Sequence, residues 1–282
     1  MAGGRDPAYL CAEVFTHLPA PAERMRVLFV AGEVAPFSET TETARLLRHL
    51  PEALQEEHGV EPRIMMPRYG VVSERRNRLH EVIRLSGTEV PVGEDTDTLQ
   101  VKVASIPGIR LQVYFMDSVA YFKRKGLHRD RKTEELFDDN PARALFFARA
   151  ALLTAGKLGW NPDIVHASGW ISAFVPHVLR TDLAEDELFA QAKSVYTPDV
   201  VEGYEAELGA ETAASLGLPE GYGARSLRDI GLATADAVLY ASDDAARGGE
   251  PEGAVLGGEP SELAAKAHAL YETLAPAQAE AA

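Results

Sequence analysis

Cysteine is almost absent from this chain, since Cys11 is the only one among 282 residues. An internal disulfide is therefore excluded, and no Cys/His spacing matches a zinc site, so we expect no metal and no cofactor. No apolar run is long enough to cross a bilayer. The first residues also lack the basic and apolar segments of a secretory signal. These absences predict a cytoplasmic protein.

Basic residues are scarce as well, with 28 Lys and Arg against 43 Asp and Glu, a formal net charge of −15. Such a charge repels nucleic acids and anionic membranes, and we expect neither as a partner. The strongest basic cluster is 123–132, KRKGLHRDRK. We interpret it as a solvated loop, and binding of an anionic ligand is the alternative.

Short apolar runs alternate with helical patterns from Met25 onward. The runs are continuous, which suits strands buried on both faces of a mostly parallel sheet. The connection at 106–108 is too short for a crossover helix, so the two strands it joins should be antiparallel. The predicted strands are Arg26–Ala31, Arg63–Met66, Leu99–Ala104, Leu111–Met116, Asp163–Ala167, Lys193–Thr197 and Ala237–Ala241.

Helical periodicity fills the segments between these strands. Pro51 predicts a kink in the first helix, and Asn140 followed by Pro141 predicts a capped start of the second. A Gly/Glu/Pro-rich linker, 248–260, should precede a last helix docked through an apolar stripe. The predicted helices are Thr43–Glu57, Pro141–Leu158, Ile171–Arg180 and Arg225–Ala233, and the stripe is Leu263, Ala267, Leu270 and Leu274.

Ligands of open α/β sheets bind beyond the carboxyl ends of the strands, so the candidate residues follow those ends. His166 ends a strand and could bind a sugar hydroxyl or a phosphate oxygen, or simply the backbone. Trp170 could stack on a sugar or belong to the core. Asp139 and Asn140 could contact a ligand or cap the helix at Pro141. The first strand leads into a loop that carries Thr40. Gly32 is the single glycine of this loop, whereas a dinucleotide fingerprint needs three.

Several blocks resemble the glycogen and starch synthases, glycosyltransferase family 5, and occur in that family's order. The blocks are MRVLFVAGEVAPFS (25–38), LPEAL (50–54), RIMMPRYG (63–70), VYFMD with YFKRKGL (113–127), FDDNPARALFFARAAL (137–152), WNPDIVHASGWISAFVP (160–176) and IGLATADAVLYAS (230–242). The resemblance implies the amino-terminal half of a glycosyltransferase B fold, a single doubly wound Rossmann-like α/β domain. We therefore divide the chain into an arm (1–24), this domain (25–245), and a linker with a C-terminal helix (246–282).

The resemblance implies transfer of glucose from ADP-glucose to an α-1,4-glucan, with Thr40, Asp139, Asn140, His166 and Trp170 as substrate-binding residues. The motifs also depart from the family. Its lysine-threonine-glycine-glycine is ETTE here (39–42), which replaces a cation with a carboxylate near a diphosphate. Its His-Ala-His-Asp-Trp-His is HASGWI (166–171).

We therefore expect a synthase-like domain that transfers glucose poorly or not at all as an isolated chain. In this interpretation a companion glycosyltransferase subunit would supply the missing half. The alternative is a non-catalytic module that binds glucan, a sugar nucleotide or a complete synthase. The crevice at the strand ends distinguishes these functions. An open polar crevice favours the transferase, and a crevice filled by Glu39, Glu42 and Ile171 favours the non-catalytic module.

Overall fold

The computed structural model describes residues 24–201, 204–247 and 250–275. The predicted N-terminal arm lies outside these residues, apart from Arg24. The strands are β1 (Arg26–Ala31), β2 (Glu61–Pro67), β3 (His80–Glu81), β4 (Thr88–Val92), β5 (Asp95–Ser105), β6 (Gln112–Asp117), β7 (Ile164–Ser168), β8 (Lys193–Thr197), β9 (Ala237–Tyr240) and β10 (Ala254–Val255). The helices are α1 (Glu42–His58), α2 (Glu74–Asn77), α3 (Val119–Phe122), α4 (Asn140–Lys157), α5 (Val175–Arg180), α6 (Ala210–Ser215), α7 (Leu227–Thr234) and α8 (Pro260–Leu274).

The strands form one sheet in the order β10-β9-β8-β7-β1-β2-β6-β5-β3, with β4 paired to β5. From β10 to β6 all neighbours are parallel, and β5 runs antiparallel to β6, β3 and β4. The strand order reverses direction at β1, with β2 on one side and β7 on the other. This confirms the predicted doubly wound α/β fold and the antiparallel β5–β6 pair.

The centre of the sheet is fully buried, as its continuous apolar runs predict. Val27, Leu28, Phe29 and Val30 of β1 have no exposed surface. Both of their faces are covered, because α1 and α8 pack on one another beside the sheet and α4 also contacts it. Burial of these residues removes apolar surface from water, which is the main favourable term in folding.

Two helix predictions require correction. The segment predicted as one helix, Ile171–Arg180, is a 3-10 turn at Trp170–Ser172 followed by α5, which has Pro176 in its first turn. Asn140 does not cap α4, because Asp139 occupies the N-cap position. The Asp139 side chain itself makes no capping hydrogen bond. Helix α1 runs through Pro51 as one continuous element.

The C-terminal helix docks on this domain, as predicted, by packing against α1. Leu263 and Ala267 of the predicted stripe are buried, together with Ala264 and Tyr271. The imidazoles of His58 on α1 and His268 on α8 stack with centroids 4.4 Å apart. Part of the predicted linker is instead β10, which pairs in parallel with β9.

Candidate functional site

The loops after β1, β7 and β8 meet where the strand order reverses. The amide of Gly32 donates to the Ser168 carbonyl at 2.7 Å, and the amide of Gly169 donates to the Thr197 carbonyl at 2.9 Å. Gly169 has a φ of 85°, and a Cβ there would lie 3.0 Å from Oδ2 of Asp199. A glycine is required at 169 because both the backbone conformation and the space exclude a side chain. These three loops form a crevice edge of the kind that binds ligands in open α/β sheets.

Glu33 holds the loop after β1 in place. Its carboxylate is mostly buried and accepts the Ser38 hydroxyl, the Thr40 amide at 3.2 Å, the Thr40 hydroxyl at 2.7 Å and the Thr41 hydroxyl at 3.1 Å. Thr40, a predicted substrate-binding residue, therefore directs its hydroxyl proton to Glu33. Charge-assisted hydrogen bonds of this kind are stronger than neutral ones, so they fix the loop conformation.

The two acidic residues of the altered loop lie on the outside of this edge. Glu39 is exposed and pairs with Arg45 at 3.3 Å, and Glu42 accepts the Ser242 hydroxyl at 2.9 Å. Ile171 is fully buried. The crevice is thus not filled by the Glu39 and Glu42 side chains. A basic group, Arg45, is present beside Glu39, but its charge is opposed by that carboxylate.

Asp199 follows β8 and lies against Gly169. Burial raises the pKa of its carboxyl group to about 7, and the nearby Glu33 carboxylate adds to the increase, whereas the amides of Asp199 and Trp170 oppose it. The group is therefore partly protonated near neutral pH. A carboxyl group in that state can either donate or accept a proton or hydrogen bond.

His166 is enclosed within the sheet. Its Nδ1 lies 2.7 Å from the Tyr271 hydroxyl and its Nε2 lies 2.7 Å from the Thr197 hydroxyl. Burial lowers the pKa of its imidazole to about 3. The ring is neutral at physiological pH, and both of its nitrogens are occupied by protein groups, so a sugar would have to replace one of these partners.

Asp139 and Asn140 begin α4 and hold two arginines. Both carboxylate oxygens of Asp139 accept hydrogen bonds from Arg124, one of them at 2.6 Å. Asn140 donates to the His128 carbonyl at 2.9 Å and accepts from Nη1 of Arg143 at 2.6 Å. Arg143 is fully buried, and its guanidinium carbon lies 5.6 Å from the Trp170 ring.

An aromatic cluster covers Trp170. The Tyr204 ring stacks on the indole at a centroid distance of 4.7 Å and an interplanar angle of 19°, and the His128 imidazole lies 5.5 Å from the Tyr204 ring. Burial lowers the pKa of His128 to about 4, and the charges of Arg129 and Arg143 contribute. Flat aromatic faces beside carboxyl and amide groups are suited to pyranose rings, which have apolar faces and polar edges.

The structure separates the five predicted site residues into three places. Asp139, Asn140 and Trp170 lie around Arg124 and Arg143 near the start of α4. Thr40 lies on the loop after β1 against Glu33, and His166 is bonded to Thr197 and Tyr271 within the sheet. Their substrate contacts stay predictions. Sequence reasoning missed Arg143 and Tyr204, and it did not assign a role to Glu33. The signal that could have identified Arg143 is the presence of an arginine inside the apolar pattern of α4.

Over the part of the chain that the structure covers, no three His, Cys, Asp or Glu side chains are grouped so as to hold a metal ion. In that same part, no helix is both long and apolar enough to span a membrane.

Comparison with known proteins identifies the family. Residues 26–248 match the family model described as the starch synthase catalytic domain. This chain belongs to that family. It is 43% identical over 172 residues to the glycogen synthase of Chlorobium luteolum, and that match covers 61% of this chain and 35% of the relative. It is 36% identical over 230 residues to the glycogen synthase of Chlorobaculum tepidum, with coverage of 79% and 46%.

A solved structure shares the fold of this starch synthase family member. The catalytic domain of Starch Synthase IV from Arabidopsis thaliana, bound to ADP and acarbose, superposes with a TM-score of 0.62 at 21% identity, covering 78% of this chain and 45% of that one. The chain spans less than half the length of these curated relatives. The predicted resemblance to glycosyltransferase family 5 is confirmed.

Proposed function

We propose that this chain is a synthase-like domain that binds α-glucan at the carboxyl edge of its sheet and, as an isolated chain, transfers glucose from ADP-glucose poorly or not at all. The observation that carries the proposal is the anionic character of the first loop. Glu33, Glu39 and Glu42 all lie around it, and the neighbouring cation, Arg45, is paired with Glu39. A nucleoside diphosphate approaching this loop meets repulsion rather than a free cation.

The arrangement of His166 supports the same proposal. A neutral imidazole with both nitrogens engaged has no free donor or acceptor for a transferring sugar. By contrast, the Trp170–Tyr204 stack and the nearby Asp199 and Asn140 supply the aromatic and hydrogen-bonding groups that a glucan needs. Binding of glucan therefore requires fewer changes in this edge than binding of a donor diphosphate.

Two assays on the purified chain test the proposal. Incubation with ADP-[14C]glucose and glycogen should incorporate little or no label, with the Chlorobaculum tepidum glycogen synthase as a positive control. Calorimetry with maltooligosaccharides should show saturable binding. Strong incorporation of label would overturn the proposed inactivity, and absence of maltooligosaccharide binding would overturn the proposed glucan site.

The second candidate function is a non-catalytic module that binds a sugar nucleotide or a complete synthase. Arg45 favours the nucleotide version, because it is a largely exposed cation on the first turn of α1, beside the loop after β1. Calorimetry with ADP-glucose separates the two candidates. Binding of ADP-glucose without turnover supports the module, whereas binding of maltooligosaccharide alone supports the glucan site.

A further inference from the structure

Arg143 is a buried cation without an anionic partner. Its Nε donates to the Tyr121 carbonyl at 2.7 Å and its Nη1 donates to the Asn140 side chain at 2.6 Å. Its Nη2 is buried and has no hydrogen-bond partner among the residues that the structure places. Buried charges are usually paired, because desolvation of an unpaired ion is costly.

Two buried tyrosine hydroxyls interact electrostatically with this guanidinium. The hydroxyls of Tyr69 and Tyr204 also have no hydrogen-bond partner within the described chain. Ring contacts connect both tyrosines to Arg143. The Phe122 ring lies 6.1 Å from the Tyr69 ring and 5.9 Å from the guanidinium carbon. The Trp170 ring stacks on Tyr204 and lies 5.6 Å from the same carbon. The charge of Arg143 opposes the increase that burial causes in both tyrosine pKa values.

The carboxylates of this region are engaged elsewhere. Glu33 is occupied by Ser38 and the two threonines of its loop, and both oxygens of Asp139 are bound to Arg124. Asp139 therefore attracts Arg143 electrostatically but forms its ion pair with Arg124. Asp199 acts electrostatically on both tyrosines, and burial raises the pKa of its carboxyl group to about 7, so this group is only partly charged near neutral pH.

Each of these unsatisfied groups can donate a hydrogen bond, and Arg143 can only donate. Unsatisfied buried polar atoms are rare, and a cluster of them indicates a ligand or ordered water. We propose that Arg143, Tyr69 and Tyr204 bind a phosphoryl group, carried either by inorganic phosphate or by a sugar phosphate monoester. A tetrahedral phosphoryl group offers three acceptor oxygens. It also carries a negative charge that could pair with Arg143.

The ligand must enter past Tyr204. Arg143 and Tyr69 are fully buried, whereas Tyr204 retains 9% exposure at the surface. Movement of the Tyr204 ring off the Trp170 indole opens the group to solvent and uncovers the indole face. The site shares Tyr204 and the Trp170 indole with the proposed glucan site. The phosphate measurements below need neither glucan nor glucose transfer.

Thermal unfolding and calorimetry with inorganic phosphate and with glucose 1-phosphate test the site, using sodium chloride of equal ionic strength as the reference. Stabilisation should rise with ligand concentration and saturate, as expected for a ligand that binds only the folded state. A lower dissociation constant for glucose 1-phosphate identifies the monoester as the ligand, and an equal or lower one for inorganic phosphate identifies the free ion. Absence of saturable binding by both overturns the proposal.

Tyr69→Phe tests the geometry, with Tyr271→Phe as the matched control. Loss of a hydrogen bond to a charged ligand weakens binding about tenfold to a hundredfold. Tyr69→Phe should show this loss while unfolding, without ligand, at the same or a higher temperature than the unmodified chain, because its hydroxyl is unpaired. Tyr271→Phe should keep the phosphate affinity and lose stability. Unchanged phosphate affinity in Tyr69→Phe overturns the assignment.

Discussion

The imidazole of His166, in the middle of the parallel sheet, is hydrogen-bonded at 2.7 Å to the hydroxyl of Tyr271, which lies 105 residues later on α8. The other ring nitrogen contacts the Thr197 hydroxyl at the end of β8. Three distant elements, β7, β8 and α8, are therefore joined through one buried imidazole. The pair links the C-terminal helix to the edge where the candidate site lies.

Tyr271→Phe should destabilise the protein by roughly 1–3 kcal/mol, because it leaves a buried imidazole nitrogen without a partner. Chemical denaturation monitored by circular dichroism measures the change in the free energy of unfolding. Tyr114→Phe is the control, since Tyr114 is only half-buried and no hydrogen bond of its hydroxyl is found in the described structure. Equal stability of the two variants would show that the His166–Tyr271 contact contributes nothing.

His166 should remain neutral well below its ordinary pKa of 6.5, since burial lowers the pKa to about 3. The unfolded chain binds a proton at this residue as the pH falls below 6.5, whereas the folded chain does not. The contribution of His166 to stability is therefore full above pH 6.5 and is lost as the pH falls toward 3. Imidazole 15N shifts recorded across this range should show no titration of His166 near 6.5, and a midpoint there would contradict the burial.

The contribution of Asp199 to stability should have the opposite dependence on pH. Its pKa is raised from 3.8 to about 7 in the folded state, so the folded protein binds the proton more tightly. Stability falls as the pH rises from 3.8 through 7. Asp199→Asn should therefore be more stable than the unmodified chain at about pH 8, by on the order of 1–4 kcal/mol, and should differ little near pH 4.

Parallel denaturation curves at the two pH values measure the Asp199 effect. Asp243→Asn serves as the control, because Asp243 also follows a strand but is exposed. A pH-independent difference between Asp199→Asn and the unmodified chain would argue against a raised pKa.

Gly231→Ala should destabilise α7 where it packs on the sheet. A Cβ at this position would lie 2.5, 2.7 and 2.9 Å from three ring atoms of Tyr196, which is buried in β8. Overpacking of this kind costs about 1–3 kcal/mol. Gly221→Ala is the matched control, since no atom lies within 4 Å of the added carbon. Similar melting temperatures for both variants would contradict the close approach of α7 and β8.

The triple substitution Glu39→Lys, Thr41→Gly and Glu42→Gly should strengthen ADP-glucose binding at least about tenfold, because it replaces repulsion by attraction and frees Arg45. Glycine is tolerated at the N-cap of α1, so the helix should persist. Calorimetry gives the affinity. Glu56→Lys, an exposed site on the same helix, supplies two of the three units of added positive charge and controls for most of the change in net charge. If the triple variant gains nothing over this control, the loop after β1 is not a donor site.

The central strands could be predicted because their sequence and burial agree. The bounds of β1 and β8 match the sequence prediction, since β1 is almost entirely apolar and every residue of β8 after Lys193 is buried. The strand β5 is longer than predicted because its first residues, Asp95–Thr98, are polar and pair with β4. Short edge strands such as β3 and β10 carry no distinctive pattern, so they were not predicted.

The site was only partly predictable for a physical reason. The strand-end rule locates Gly32, Gly169 and Asp199 correctly, because a parallel sheet places its carboxyl ends together. The partners of these residues depend on tertiary contacts. Tyr271 reaches His166 from a helix at the other end of the sequence, and Arg143 is buried although arginine usually lies at the surface.

The Trp170–Tyr204 stack gives this protein a built-in optical signal. The chain contains two tryptophans, and the other, Trp160, lies beneath Arg63 with its indole nitrogen bonded to Glu61 at the start of β2, the opposite rim of the sheet. A molecule that displaces Tyr204 changes the surroundings of Trp170 alone. Emission from a Trp160→Phe variant therefore reports occupancy of the candidate site directly, without a label.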